Sequence, residues 1–212
     1  VKIFSKYLIL LLSAMLLNIT PSQACKNCGC RAKSNNTTEH THSPNSTTND
    51  IYAQKSEVIW KASKIGGDHE GEIAIRSGHL HFEEKRLISG KVDIDMQSIV
   101  CTDLEGNYKD QLEKHLNSSD FFDTKKHPIS SIELIECSYK GYGKYEIDSK
   151  ITIKGITQDV TFTATVKNGV ASADLTLDRS KFDVRYGSGS FFSDLGDNLI
   201  YDEFELNIRM TY

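Results

Sequence analysis

Apolar residues on every second position constrain this chain more than any other feature. Val92, Ile94 and Met96 alternate with Lys91, Asp93 and Asp95. Val160, Phe162, Ala164 and Val166 alternate with Thr161, Thr163 and Thr165, and Ala173, Leu175 and Leu177 with Asp174, Thr176 and Asp178. Phe204, Leu206, Ile208 and Met210 oppose Glu203, Glu205, Asn207 and Arg209, while Ile73, Ile75, Leu80 and Phe82 sit among polar neighbours. Successive side chains of a strand point to opposite faces, so each run predicts an antiparallel strand with one dry and one wet side. Gly66-Gly67, Ser77-Gly78, Ser89-Gly90, Gly141, Gly155 and Asn168-Gly169 are read as the turns between them.

One stretch breaks this rule. Leu104, Tyr108, Leu112 and Leu116 recur every four residues, the spacing of a helical face, with Asp103 at the N-cap position and Glu105 in the first turn. The expected body is a meander of about eight strands interrupted by one helix. Such strands remove their edges by stacking as a sandwich or closing into a barrel, and a lone helix favours a barrel with a cap. An eight-stranded barrel is wide enough to be packed solid or to hold one slender ligand. About 160 of the 212 residues belong to this body, enough for a single core.

The ends read differently. Lys2 and Lys6 precede the apolar run Tyr7–Leu17, and Ser22 and Ala24 provide small residues before Cys25. This predicts an export signal over residues 1–24, because the run is shorter than the roughly 20 apolar residues of a membrane span. Cleavage before Cys25 would leave a cysteine open to lipid attachment, although Ser22 and Gln23 fit the bacterial lipobox poorly. A soluble periplasmic or secreted protein is the first reading and a lipoprotein anchored through Cys25 the second. Residues 25–54 are rich in Asn, Ser and Thr and lack periodicity, so they are expected to form a disordered tether before a domain at 55–212. Cys28, Cys30, His40 and His42 suit a soft metal by chemistry, without the spacing of a closed zinc site. The remaining cysteines, Cys101 and Cys137, fall in strand-like segments, and a disulfide between them and two separate buried thiols are both open.

Several chemistries are unsupported. The formal net charge is −4 with no basic stripe, which disfavours nucleic acid. There is no GxSxG elbow, no Walker loop and no zincin pair among His69, His79, His81, His115 and His127. GSGSFF, residues 187–192, is followed by no helical periodicity and is no dinucleotide loop.

Taken in order, Trp60-x-x-x-Lys64, Gly67-Asp68-His69-Glu70-Gly71 and SGHLHFEEKRLISGKVDIDMQSI at 77–99 form a series. DLEGNYKDQLEKHLNSSDFFDTKKHP at 103–128, ITIKGIT at 151–157 and VTFTATV at 160–166 continue it. LDRSKFDVRYGSGSFFSDLGDNLIYDEFEL at 177–206 closes it. In this combination the chain resembles the YceI-like family of exported bacterial proteins. The resemblance implies an all-β, lipocalin-like antiparallel barrel around an apolar tunnel. It also implies binding of a polyisoprenoid or isoprenoid quinone rather than catalysis, with no cofactor beyond that lipid. Partners would be the isoprenoid lipid, a membrane redox protein nearby and, for the assembly, a homodimer. A fatty acid or other small amphiphile is the alternative ligand, and a metal or redox role for the Cys/His tether the alternative function. A structural surface lipoprotein with a filled cavity is a third class.

Candidate tunnel residues are Trp60, Ile75, Phe82, Ile94, Phe121, Phe122, Phe162, Leu177, Phe182, Tyr186, Phe191 and Phe192. The pairs Phe121-Phe122 and Phe191-Phe192 lie in loop-like stretches, where one is expected to cap the barrel and the other to gate it. Arg179 and Arg185 can hold a pyrophosphate or quinone head by forked hydrogen bonds, or pin their loop to Asp194, Asp197 or Asp202.

Overall fold

The computed structural model describes residues 45–212. Eleven strands lie in one antiparallel sheet: β1 (Ser46–Asp50), β2 (Glu57–Lys64), β3 (Gly67–Glu72), β4 (Ile75–Glu83), β5 (Arg86–Asp95), β6 (Val100–Cys101), β7 (Ile129–Gly141), β8 (Lys144–Ile153), β9 (Ile156–Lys167), β10 (Val170–Asp178) and β11 (Ile200–Thr211). Their order is β1-β4-β5-β7-β8-β9-β10-β11-β2-β3-β6.

This order curls back on itself. Only Ile73 and Ala74 separate β3 from β4, and a 3-10 turn at Met96–Ser98 separates β5 from β6. At the kink the Ile73 N–H donates to Val58 O on β2 and the Asp95 N–H to Ala74 O, both at 3.0 Å. Counting β3–β4 and β5–β6 as two bent strands gives a ring of eight, with β1 added beside β4. The expected count of about eight is therefore right for the ring and low for the separate strands. Bending splits two strands, and β1 lies within residues 25–54, where a tether was expected. Residues 46–50 pair with β4, and a 3-10 turn follows at Ala53–Lys55. Residues 1–24, read from sequence as an export signal, and Cys25, Cys28, Cys30, His40 and His42 lie outside the described residues.

Alternation sets the inner face. On β8, Tyr145, Ile147, Ser149, Ile151 and Ile153 are buried, while Lys144, Glu146, Asp148 and Lys150 are exposed. Gly78 and Gly90 are not turns. Both lie mid-strand, where a Cβ on Gly78 would meet Lys91 O at 2.8 Å and one on Gly90 would meet His79 O at 2.9 Å. The β4–β5 turn is made instead by Glu84 and Lys85, both at positive φ.

The helix α1 (Gly106–Asn117) starts later than the sequence suggests. Glu105 occupies the N-cap without a side-chain cap bond. Asp103 is drawn away by three partners: the Glu70 N–H (3.1 Å), His69 Nδ1 (2.9 Å) and the Cys101 thiol (3.0 Å). Leu116 is buried, but Tyr108 is 75% exposed, so the apolar face covers only the last turns. Beyond α1, Phe121 and Phe122 fold back under the chain.

Candidate functional site

The inner face of the ring encloses two apolar chambers in line. The upper one, about 110 Å³, lies between β2, β7, β8 and β11. Val58, Trp60, Ile132, Ile151, Phe204 and Leu206 line its wall. Leu116 of α1, with Phe121 and Phe122, forms its roof. The lower chamber, about 40 Å³, is lined by Ile75, Leu80, Leu87, Phe162, Val166 and Met210 among others. Val58, Ile94, Ile132 and Ile208 border both, so the chambers meet at a waist. Phe82 stacks on Tyr212 with centroids 5.2 Å apart, and the Tyr145 hydroxyl accepts from the Leu87 N–H at 3.1 Å.

A third cavity, about 250 Å³, lies between α1 and the loop before β11. It shares Trp60, Ala62, Leu116, Phe121 and Ile200 with the upper chamber and forms a vestibule to it. Trp60 is fixed at this junction. Its Nε1 donates to Val100 O at 3.1 Å, and its ring lies so close to Gly71 that a Cβ there would sit 2.7 Å from it.

Arg179 reaches the upper chamber but is fully engaged. It is 3% exposed, and Nε donates to Tyr201 O, Nη1 to Val184 O and Tyr186 O, and Nη2 to Ile200 O, at 2.9 to 3.1 Å. Nη2 also lies 3.3 Å from Asp202 Oδ1, a charge pairing without a directed hydrogen bond. The guanidinium stands 5.5 Å over the Phe121 ring and so ties the loop to the roof. Burial pushes the pKa of Arg179 down, against Asp202 and Asp178.

Of the residues singled out from sequence, Trp60, Ile94, Phe121, Phe122 and Leu177 line the upper chamber, and Ile75, Ile94 and Phe162 the lower. The others stand elsewhere. Phe82 is buried against Tyr212 and borders neither chamber. Phe182 is buried in the 3-10 turn Arg179–Phe182, which packs beside β9 where its pairing with β10 has stopped. Tyr186 borders the vestibule. Phe191 and Phe192 are exposed, because the backbone between Ser188 and Phe192 turns back on the Ser188 carbonyl and faces them outward. Arg185 pairs with Asp183, lies 5.0 Å over Phe191 and borders an outer groove, not the tunnel. Attention to aromatic residues passed over the aliphatic lining, such as Ile132, Ile151 and Ile208, and the serines Ser130 and Ser131. Their signal was the alternation itself.

Cys101 and Cys137 are free thiols, not a disulfide. Their strands share no pairing: β6 pairs with β3, while β7 lies between β5 and β8. Burial, then the hydrogen bond to Asp103, raises the Cys101 pKa, and burial pushes Cys137 up to about 11. Burial acts to raise the pKa of Asp103 as well. Hydrogen bonds from Cys101, His69 and the Glu70 N–H outweigh it and bring that carboxyl down to about 2. This cluster buckles β6 to β3.

The profile of the YceI-like domain matches residues 50–212. A UPF0312 protein of Vibrio parahaemolyticus is 27% identical over 116 residues, 54% of this chain and 59% of that relative. The alignment thus spans under two thirds of the relative's length. Among solved structures, BcnA of Burkholderia cenocepacia superposes with a TM-score of 0.62 at 24% identity, over 76% of this chain and 99% of that one. A polyisoprenoid binding domain from Saccharophagus degradans gives 0.53 at 9% identity, over 76% and 95%. At these identities the likeness is one of fold.

Proposed function

The chain belongs to the YceI-like domain family, and from that premise we propose that it is a carrier or reservoir holding the tail of an isoprenoid lipid in its barrel. The observation that carries this reading is the pair of adjoining apolar chambers inside the ring, with a waist of shared residues between them and a roof at one end. An apolar tail gains about 0.8 kcal/mol for each methylene removed from water, so a long prenyl chain has a large drive into such a channel. The channel binds by shape, as apolar pockets commonly do, and the protein releases its cargo chemically unchanged. The polyisoprenoid binding of the Saccharophagus degradans domain supports the choice of tail. In this reading the leader-like residues 1–24 direct the protein out of the cytoplasm, as a soluble carrier or one anchored through Cys25. A membrane redox protein is then a fitting neighbour for quinone cargo.

The test is to isolate the full chain from a bacterial host, extract it with organic solvent and analyse the extract by mass spectrometry. A stoichiometric prenyl lipid or quinone is expected. A clean extract, from protein that also takes up no added isoprenoid, would overturn the proposal.

A further inference from the structure

A tail lying in the two chambers leaves its head near the roof, where vestibule and upper chamber meet. Polar atoms are scarce at that junction. Ser130 Oγ and His115 Nε2 are shut off from solvent, yet neither has a hydrogen-bond partner among the described residues. Ser130 is 6% exposed, sits opposite Ile94 on β5 and faces the upper chamber. His115, in the last turns of α1, borders the vestibule. Its ring stands edge-on to Tyr186 and Phe121, with centroids 4.3 and 5.4 Å away. Buried polar groups are nearly always paired in folded proteins, so an unpaired one beside a cavity marks where a ligand atom belongs.

The charges nearby are already committed or balanced. Four N–H groups of Arg179 donate to backbone carbonyls and its charge faces Asp202, which leaves no fork for a phosphate. Arg185 is outside and paired with Asp183. Lys64 and Asp197 bring one charge of each sign to the vestibule. Burial keeps the pKa of His115 below the ordinary imidazole value, against the pull of Asp120, which favours a neutral ring.

Resting on the carrier reading, we infer that the two unpaired atoms on either side of this junction, His115 Nε2 in the vestibule and Ser130 Oγ in the upper chamber, form a head-group site along the path of the tail. That site takes a neutral, oxygen-bearing head, a quinone carbonyl or a prenol hydroxyl, in preference to a phosphate or carboxylate. Neutral imidazole and hydroxyl each offer a hydrogen bond without a compensating charge, and with Lys64 offset by Asp197 an anionic head would meet no net positive charge at this junction.

The experiment uses the full chain and four probes: geranylgeraniol, geranylgeranyl diphosphate, a ubiquinone with a four-isoprene tail, and phytane as a hydrocarbon of similar length. Binding is followed by calorimetry and by the emission of Trp60, the single tryptophan, which lines both cavities. The wild type is expected to bind the alcohol or the quinone at least about 10-fold more tightly than the diphosphate. The variants His115→Phe and Ser130→Ala, checked for a wild-type melting temperature, should each weaken that binding by about 10-fold and leave phytane unchanged. The alcohol and quinone arms separate the two neutral heads. Equal affinity for the diphosphate, or wild-type affinity in both variants, overturns the head-group site while the tunnel stands. Failure of the wild type to bind any probe, phytane included, overturns the carrier reading and this site with it.

Discussion

Gly71 and Trp60 work as a pair. A Cβ on Gly71 would lie 1.9 Å from Val100 O, the atom that accepts the indole hydrogen bond of Trp60. Backbone on one side and a fixed ring on the other leave no room to relax. Gly71→Ala should therefore cost about 1–3 kcal/mol in chemical denaturation and shift Trp60 emission, since the ring must move. Asp103 carries a different kind of dependence. Its carboxyl is held at about 2, below the ordinary 3.8, so its folded state prefers the charged form. The stability this adds is complete above about pH 4 and is lost as pH falls toward 2. Denaturation curves across that range should lose part of their slope in Asp103→Asn, which should also cost about 0.5–1.5 kcal/mol at pH 7 through loss of the charge-assisted bond to His69. Neither residue's task was legible in the sequence. Gly71 sits in a glycine-bearing motif whose neighbour in space, Val100, is 29 positions away, and Asp103 looked like a helix cap because local spacing cannot see His69 and Glu70.

At the scale of elements, α1 and the Phe121-Phe122 turn act as one roof. Leu116 and Phe121 are buried on the barrel side, and Arg179 and His115 hold Phe121 from two directions. Phe122 is half-buried, packs edge-on against Phe121 at 5.0 Å and lines the upper chamber. Phe122→Ala should open the roof with little loss of fold, and stopped-flow release of a bound prenyl lipid should become several-fold faster. Unchanged release would place the exit elsewhere. The strands themselves were legible wherever alternation ran unbroken, as in β9 and β11. It failed at Gly78 and Gly90, because a glycine that makes a turn and one that admits a neighbouring strand are the same letter. The β4–β5 turn went unread for the converse reason: Glu84 and Lys85 carry no turn signature yet take positive φ.

For the whole molecule, the waist decides how far a tail can reach. Val58, Ile94, Ile132 and Ile208 border both chambers, so a bulky side chain there divides the tunnel without touching its mouth. Ile132→Trp should shorten the longest prenyl alcohol bound in competition assays while short ones keep their affinity. Equal loss for all lengths would mean a general disturbance of the barrel. The ring around that waist closes because two strands bend. β3–β4 leaves β2 at Ile73 and joins β5 through Ala74, so one chain segment serves both ends of the pairing order and closes the ring. Side-chain period alone dictates the dry and wet face of most strands, the helix α1 and the apolar character of the interior, because these are local consequences of spacing along the chain. Only the tertiary structure decided which inward residues border open space. The fate of Arg179, the two unpaired thiols, and the positions of Ser130 and His115 were settled there too. Each of these depends on atoms brought together by ring closure across long stretches of chain, and no spacing along a sequence carries that distance.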